Sequence, residues 1–153
     1  MVRTIAWDPR NADGYLGGDL YEVFPKLFER FGKVNIAGIG VGNRGWTVIR
    51  QMEAHNIVAI CDVDANYLGK ASERYPNARK YNDFRKLIDR PDVDAVVIAT
   101  PDHWHAMVIL DSCKAGYDIY CEKPLVNNLM EAKTVMDAVN ASDVIFQTGS
   151  QQR

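Results

Sequence analysis

The stretch Val34-Asn35-Ile36-Ala37-Gly38-Ile39-Gly40-Val41-Gly42-Asn43-Arg44-Gly45 decides the fold. Its first half, Val34–Ile39, is a short apolar run with the length of a buried strand. Its second half, Gly40 to Gly45, has the spacing G-x-G-x-x-G and opens a stretch that reads as a helix over Arg44–Ala54. Each glycine has a physical task. Gly40 permits a tight turn, Gly42 lets backbone approach a phosphate closely, and Gly45 lets the helix pack against the sheet. The helix start then offers unpaired N–H groups to anions, with Asn43 and Arg44 inside the turn.

Working outward, apolar runs alternate with amphipathic stretches along the rest of the chain. Strands are expected at Ile57–Cys61, Arg79–Tyr81, Ala95–Thr100, Tyr117–Cys121 and Val144–Thr148. Helices are expected at Asn66–Tyr75, Asp83–Asp89, His105–Ala115, with Gly116 as the stop, and Leu129–Asn140. This alternation predicts an α/β fold with a doubly wound parallel sheet, the Rossmann dinucleotide-binding arrangement, over residues 33–153. Residues 1–32 fall outside it. Leu20, Val23, Phe24, Leu27, Phe28 and Phe31 recur at helical spacing, so an extra N-terminal helix is expected there.

Composition narrows the function classes. The chain has 153 residues, a formal net charge of -2 and 25% charged residues. No basic cluster appears, which argues against nucleic acid. No apolar run approaches the roughly 20 residues needed to cross a bilayer. The three cysteines, Cys61, Cys113 and Cys121, form no Cys-x-x-Cys and read as core thiols of a cytoplasmic protein. His55, at a helix end, is expected to be exposed.

Three clusters carry chemistry. Asp62 ends the second strand about 20 residues after Gly42, where an acidic residue holds the ribose hydroxyls of a dinucleotide. A carboxylate there repels a 2′-phosphate, so NAD is favoured, while Arg44 could reach the adenosine side and tolerate NADP. Alternatively, Asp62 only caps the turn before Ala65. The second cluster, Thr100-Pro101-Asp102-His103-Trp104-His105, follows the fourth strand. Asp102 could cap the next helix. A metal reading of the two histidines lacks further ligands, so no metal is expected. His103 and His105 are read as orienting the loop or touching the nicotinamide side, and Trp104 as packing. The third cluster is Cys121-Glu122-Lys123-Pro124. A lysine serves as a base where burial or a neighbouring positive charge favours its neutral form. Lys123 could then take a hydroxyl proton as hydride leaves the adjacent carbon. An ion pair of Lys123 with Glu122 is geometrically poor, because neighbouring strand residues point to opposite faces. The Lys123–Pro124 bond, judged from sequence alone, is expected to be trans.

Together these pieces resemble the glucose–fructose oxidoreductase / inositol dehydrogenase / rhizopine-catabolism (Gfo/Idh/MocA) family. The match runs from Lys33 to Arg153 and rests on the glycine turn, Cys61-Asp62-Val63-Asp64, Thr100–His105, Glu122-Lys123-Pro124 and Gly149–Arg153. The resemblance implies a Rossmann domain that uses NAD(P) to oxidise or reduce sugars and polyols. It implies that Lys123 helps catalysis, that Glu122 and Pro124 set its position, and that Thr100, Pro101 and His105 lie near the nicotinamide. His105 thereby joins Lys123 as a catalytic candidate, and His103 joins the cofactor-binding candidates. Some relatives of this kind cleave glycosides by transient oxidation; Glu122-Lys123-Pro124 favours a dehydrogenase. The resemblance also implies a second, substrate-binding domain after Arg153, which is expected to be missing from this chain. Two functions follow: an oxidoreductase domain with little activity by itself, or a non-enzymatic dinucleotide-binding module. Self-association through exposed apolar surface is expected in either case.

Overall fold

A computed structural model describes residues 32–149. The expected N-terminal helix and the Ser150–Arg153 segment lie outside the described residues. Six parallel strands form one sheet: β1 (Asn35–Ile39), β2 (Asn56–Cys61), β3 (Arg79–Tyr81), β4 (Ala95–Ile98), β5 (Asp118–Glu122) and β6 (Phe146–Gly149). Their spatial order is β3-β2-β1-β4-β5-β6. The chain first builds outward from β1 through β2 to β3. It then returns to the other side of β1 with β4, so a switch point lies between β1 and β4. Ile36–Ile39 pairs in register with Ala95–Ile98 across that switch.

Helices cover both faces. One face carries α1 (Asn43–Gln51) and α2 (Ala65–Arg74); the other carries α3 (Phe84–Ile88), α4 (His105–Ala115) and α5 (Leu129–Ala141). Alternate strand residues feed two separate cores. Ile36, Ile60, Val97 and Tyr120 pack with Val48, Ile49 and Met52 of α1. Ile39, Val96, Ile98 and Ile119 pack with Leu87, Val108, Ile109 and Val135 on the opposite face. Burial on both faces explains why these strands read as continuous apolar runs. Each fully buried Ile or Val contributes about 1.5–3 kcal/mol.

Element ends differ from the sequence reading for local reasons. α1 stops at Gln51, because Met52 N–H bonds to Ile49 and His55 N–H to Met52 in tight turns. Those turns carry His55 inward. It is buried rather than exposed, and its Nδ1 accepts from Val34 N–H at 3.4 Å. Burial lowers its pKa from the ordinary histidine value. β4 ends at Ile98, two residues early, since Ala99 and Thr100 turn into the loop. Asp83 is the N-cap of α3 and accepts from Arg85 N–H. Gly116 closes α4 in the left-handed region, as expected. All three cysteines are free and buried, as core thiols should be.

Candidate dinucleotide site and the lysine loop

The switch point leaves a crevice outside the carboxyl ends of β1 and β4, where ligands bind in open α/β sheets. Two cavities occupy it. One, of about 800 Å³, is lined by Gly40, Gly42, Asp62, Tyr67, Asp83 and Trp104, among others. The second, of about 500 Å³, is lined by Glu122, Lys123 and Pro124 with His105. Arg44, Ala99 and Thr100 line both, so the cavities meet there.

The glycine turn shows why its residue types are required. Gly40 has φ +81°, and a Cβ on it would lie 2.7 Å from the Ala99 backbone. A Cβ on Gly45 would lie 1.8 Å from the Gly40 carbonyl oxygen. Neither position has room for any side chain. Gly42 is constrained differently: a Cβ there would meet the Tyr67 ring at 2.5 Å. Tyr67, which sequence reading missed, roofs the turn and donates its hydroxyl to Asn43 Oδ1 at 3.3 Å. Its one sequence signal is its place in the first turn of α2, just past Asp62-Val63-Asp64.

Asp62 sits beside the turn and is held by backbone. Its Oδ2 accepts from Val41 N–H (2.9 Å) and Gly42 N–H (3.1 Å), and its Oδ1 accepts from Asp64 N–H (2.9 Å). The cap before α2 is Asp64, which accepts from Asn66 and Tyr67 N–H. Asp62 therefore braces the glycine turn rather than capping the helix. α1 itself has no side-chain cap at its start, whereas α2, α3 and α5 each have one. Burial pushes the Cys61 thiol up to about 12, with Asp62 and Asp83 adding to the effect. That thiol is inert.

Arg44 lines both cavities and is bonded at the β5 end. Its Nε donates to Glu122 Oε1 at 3.0 Å, and Tyr120 donates its hydroxyl to the same oxygen at 3.1 Å. Glu122 is 4% exposed, so these two bonds are made by a nearly buried carboxylate. Lys123 is exposed on the other side of the strand end. The Lys123–Pro124 bond is cis, correcting the sequence expectation.

The histidines divide. His105 is 1% exposed, with Nδ1 2.8 Å from the Pro124 carbonyl oxygen and Nε2 2.9 Å from that of Thr100. Both ring nitrogens lie within hydrogen-bond distance of backbone carbonyls, so His105 bridges the Thr100 and Pro124 loops. His103 is exposed beside Asp102, with Nδ1 3.7 Å from Oδ1, and lines neither cavity. Its side chain is 65% exposed. Asp102 accepts from His103 N–H and does not cap α4. Trp104 packs edge-on against Phe84, with centroids 6.3 Å apart, and lines the large cavity. Among the described residues, no three His, Cys, Asp or Glu side chains converge as a metal site would require. No helix among them is long and apolar enough to cross a membrane.

A dinucleotide fits this arrangement on two observations. The uncapped start of α1 opens on the crevice. At the junction of the two cavities, Thr100 Oγ1 is buried with no hydrogen-bond partner. Residues 33–150 match the sequence model of the oxidoreductase family with an NAD-binding Rossmann fold, Gfo/Idh/MocA. The chain belongs to that family. Levoglucosan dehydrogenase of Pseudarthrobacter phenanthrenivorans is 33% identical over 94 residues, which cover 61% of this chain and 24% of that protein. Alpha-N-acetylgalactosaminidase of Shewanella oneidensis is 33% identical over 116 residues, covering 68% of this chain and 25% of the relative. The solved structure of a probable dehydrogenase from Thermotoga maritima superposes with a TM-score of 0.71 at 31% identity, over 76% of this chain and 36% of that one. The chain thus spans between a quarter and somewhat over a third of these proteins, and corresponds to the NAD-binding Rossmann domain of the family.

Proposed function

We propose that residues 33–149 bind NAD along the joined cavities and present Lys123 to a sugar or polyol hydroxyl supplied by a second domain. The observation that carries this reading is the continuity of the crevice from Asp62, past Thr100, to Lys123. Asn43, Arg44 and Gly45 offer N–H groups at the start of α1 for the pyrophosphate. In this reading Asp62 accepts from the ribose hydroxyls, and Thr100 Oγ1 and Pro101 meet the nicotinamide half. When bound, the nicotinamide supplies hydride chemistry. Lys123 Nζ takes or returns the proton of the substrate hydroxyl. Glu122, tied to Arg44, and Pro124, tied to His105, hold the lysine at the cavity mouth.

Calorimetric titration with NAD and NADP tests the binding half. Sugar-dependent NAD reduction, measured for this chain and for a form continued beyond Arg153 into a substrate domain, tests the chemistry. Turnover only in the longer form supports the oxidoreductase reading. NAD binding without turnover in either supports a non-enzymatic module.

Two further readings accompany it. Leu129, Met130 and Met136 are 88%, 74% and 62% exposed on α5, which supports self-association through that helix. A monomer by light scattering at high concentration would overturn it. The three buried free thiols support a cytoplasmic, reducing location. Finding the protein in an oxidising compartment would contradict this.

A further inference from the structure

The adenosine end of the crevice contains an arginine that is already engaged. β2 and β3 pair with Cys61 opposite Tyr81, and Asp62 N–H bonds to the Tyr81 carbonyl at 3.2 Å. Asn82 and Asp83 therefore leave the sheet beside Asp62 and Val63. Asp83, Arg85 and Lys86 line the same cavity as Asp62 and Asp64. Arg85 grips Asp83 with two parallel bonds, Nε to Oδ1 and Nη2 to Oδ2, each 2.8 Å. The Arg85 guanidinium holds the Asp83 carboxyl below its ordinary range.

A 2′-phosphate on a ribose held by Asp62 would fall among these groups. An arginine placed there is the usual means of accommodating NADP. Here the two donor positions suited to a phosphate are spent on a carboxylate of this chain. Three carboxylates, Asp62, Asp64 and Asp83, also line this cavity, and their charge disfavours a dianion there. Lys86, next to Arg85, also lines the cavity.

We propose that Asp83 is a positioning residue for cofactor selectivity: by holding Arg85, it keeps the site selective for NAD against NADP. This rests on the dinucleotide reading above. Asp83 also caps α3 through Arg85 N–H at 3.1 Å, so the variant must keep the cap. Asp83→Asn does so, since asparagine caps as well as aspartate. The Arg85 side chain is 73% accessible and that of Asp83 27%, so the ion pair is largely solvent-screened and its loss should leave the fold intact.

The test is calorimetric titration of the 153-residue chain with NAD and with NADP. Asp83→Asn should tighten NADP binding by about tenfold, the size of one charge-assisted hydrogen bond, and change NAD binding by less than about twofold. Adding Arg85→Gln to Asp83→Asn should remove the gain, whereas adding Lys86→Gln should keep most of it. A purely structural role would shift both cofactors together. If NAD binds but Asp83→Asn leaves the NADP-to-NAD ratio unchanged, the selectivity proposal fails alone. It also fails alone if the gain survives Arg85→Gln, since Asp83 would then act by repulsion only. If the unsubstituted chain binds neither cofactor, the dinucleotide reading fails and this proposal with it.

Discussion

Arg44 Nε lies 3.0 Å from Glu122 Oε1, joining the first turn of α1 to the end of β5 across the switch point. The contact ties α1 to the residue before Lys123. Arg44→Ala removes a guanidinium from a carboxylate that is almost fully buried. The expected cost is about 1–2 kcal/mol, less than for a fully buried pair because half of the arginine meets solvent. Urea denaturation reads it directly. An unchanged midpoint would show that the pair contributes nothing to stability.

Gly45→Ala tests the helix–turn contact. With the Gly40 carbonyl 1.8 Å from the added carbon, α1 must move off the turn. A loss of about 3 kcal/mol is expected, together with weaker NAD binding. A variant that melts with the parent and binds NAD equally would mean the turn is looser than its geometry implies.

His105→Phe separates a strut from a catalytic group. Phenylalanine is a somewhat larger ring that offers the Thr100 and Pro124 carbonyls no ring N–H. Unmade bonds of this kind cost about 1–3 kcal/mol in total. A lower melting temperature of the chain itself supports the strut. Unaltered melting with activity lost in a longer form would restore the catalytic role.

Lys123→Ala should barely touch stability, because the side chain is exposed at a cavity mouth. NAD affinity is expected to stay within about twofold. Turnover by a form carrying a substrate domain is expected to fall by about 10²-fold or more. Retained turnover would remove Lys123 from the proton path.

Glu53 provides a pH signature remote from the crevice. Arg74 donates to both of its oxygens, at 3.1 and 2.8 Å, and Tyr75 donates at 2.9 Å. The Arg74 hydrogen bonds hold the Glu53 carboxyl below its ordinary 4.5. A carboxyl lowered in the fold adds stability that is present above 4.5 and is lost as pH falls through the lowered folded value. Glu53→Gln should therefore be less stable than the parent at neutral pH, with the gap closing in acid. Denaturant midpoints measured from neutral pH to about pH 3 follow it, and a gap independent of pH would rule out the linkage.

Most of the sheet was legible in the chain. Short β-branched runs bounded by turns depend on backbone geometry within a few residues, and Arg79–Tyr81 and His105–Ala115 fall where the pattern puts them. Asp62 and the Glu122-Lys123-Pro124 loop were also readable, since each follows a strand that can be placed by its own neighbours. His55 misled, because its exposure is set by the turns that fold Met52 back under β1 and not by its position at a helix end.

By itself, then, the sequence determined the doubly wound topology, the glycine turn and the residues that meet at the crevice. Partner choice was decided only by the tertiary structure. Arg44 and Glu122 are 78 residues apart, and no periodicity relates them. The same holds for Tyr67 above Gly42 and His105 between Thr100 and Pro124. Strand and helix patterns arise from forces acting along the chain. A hydrogen bond of about 3 Å depends on sheet register and helix packing together, and those exist only once the whole sheet is assembled.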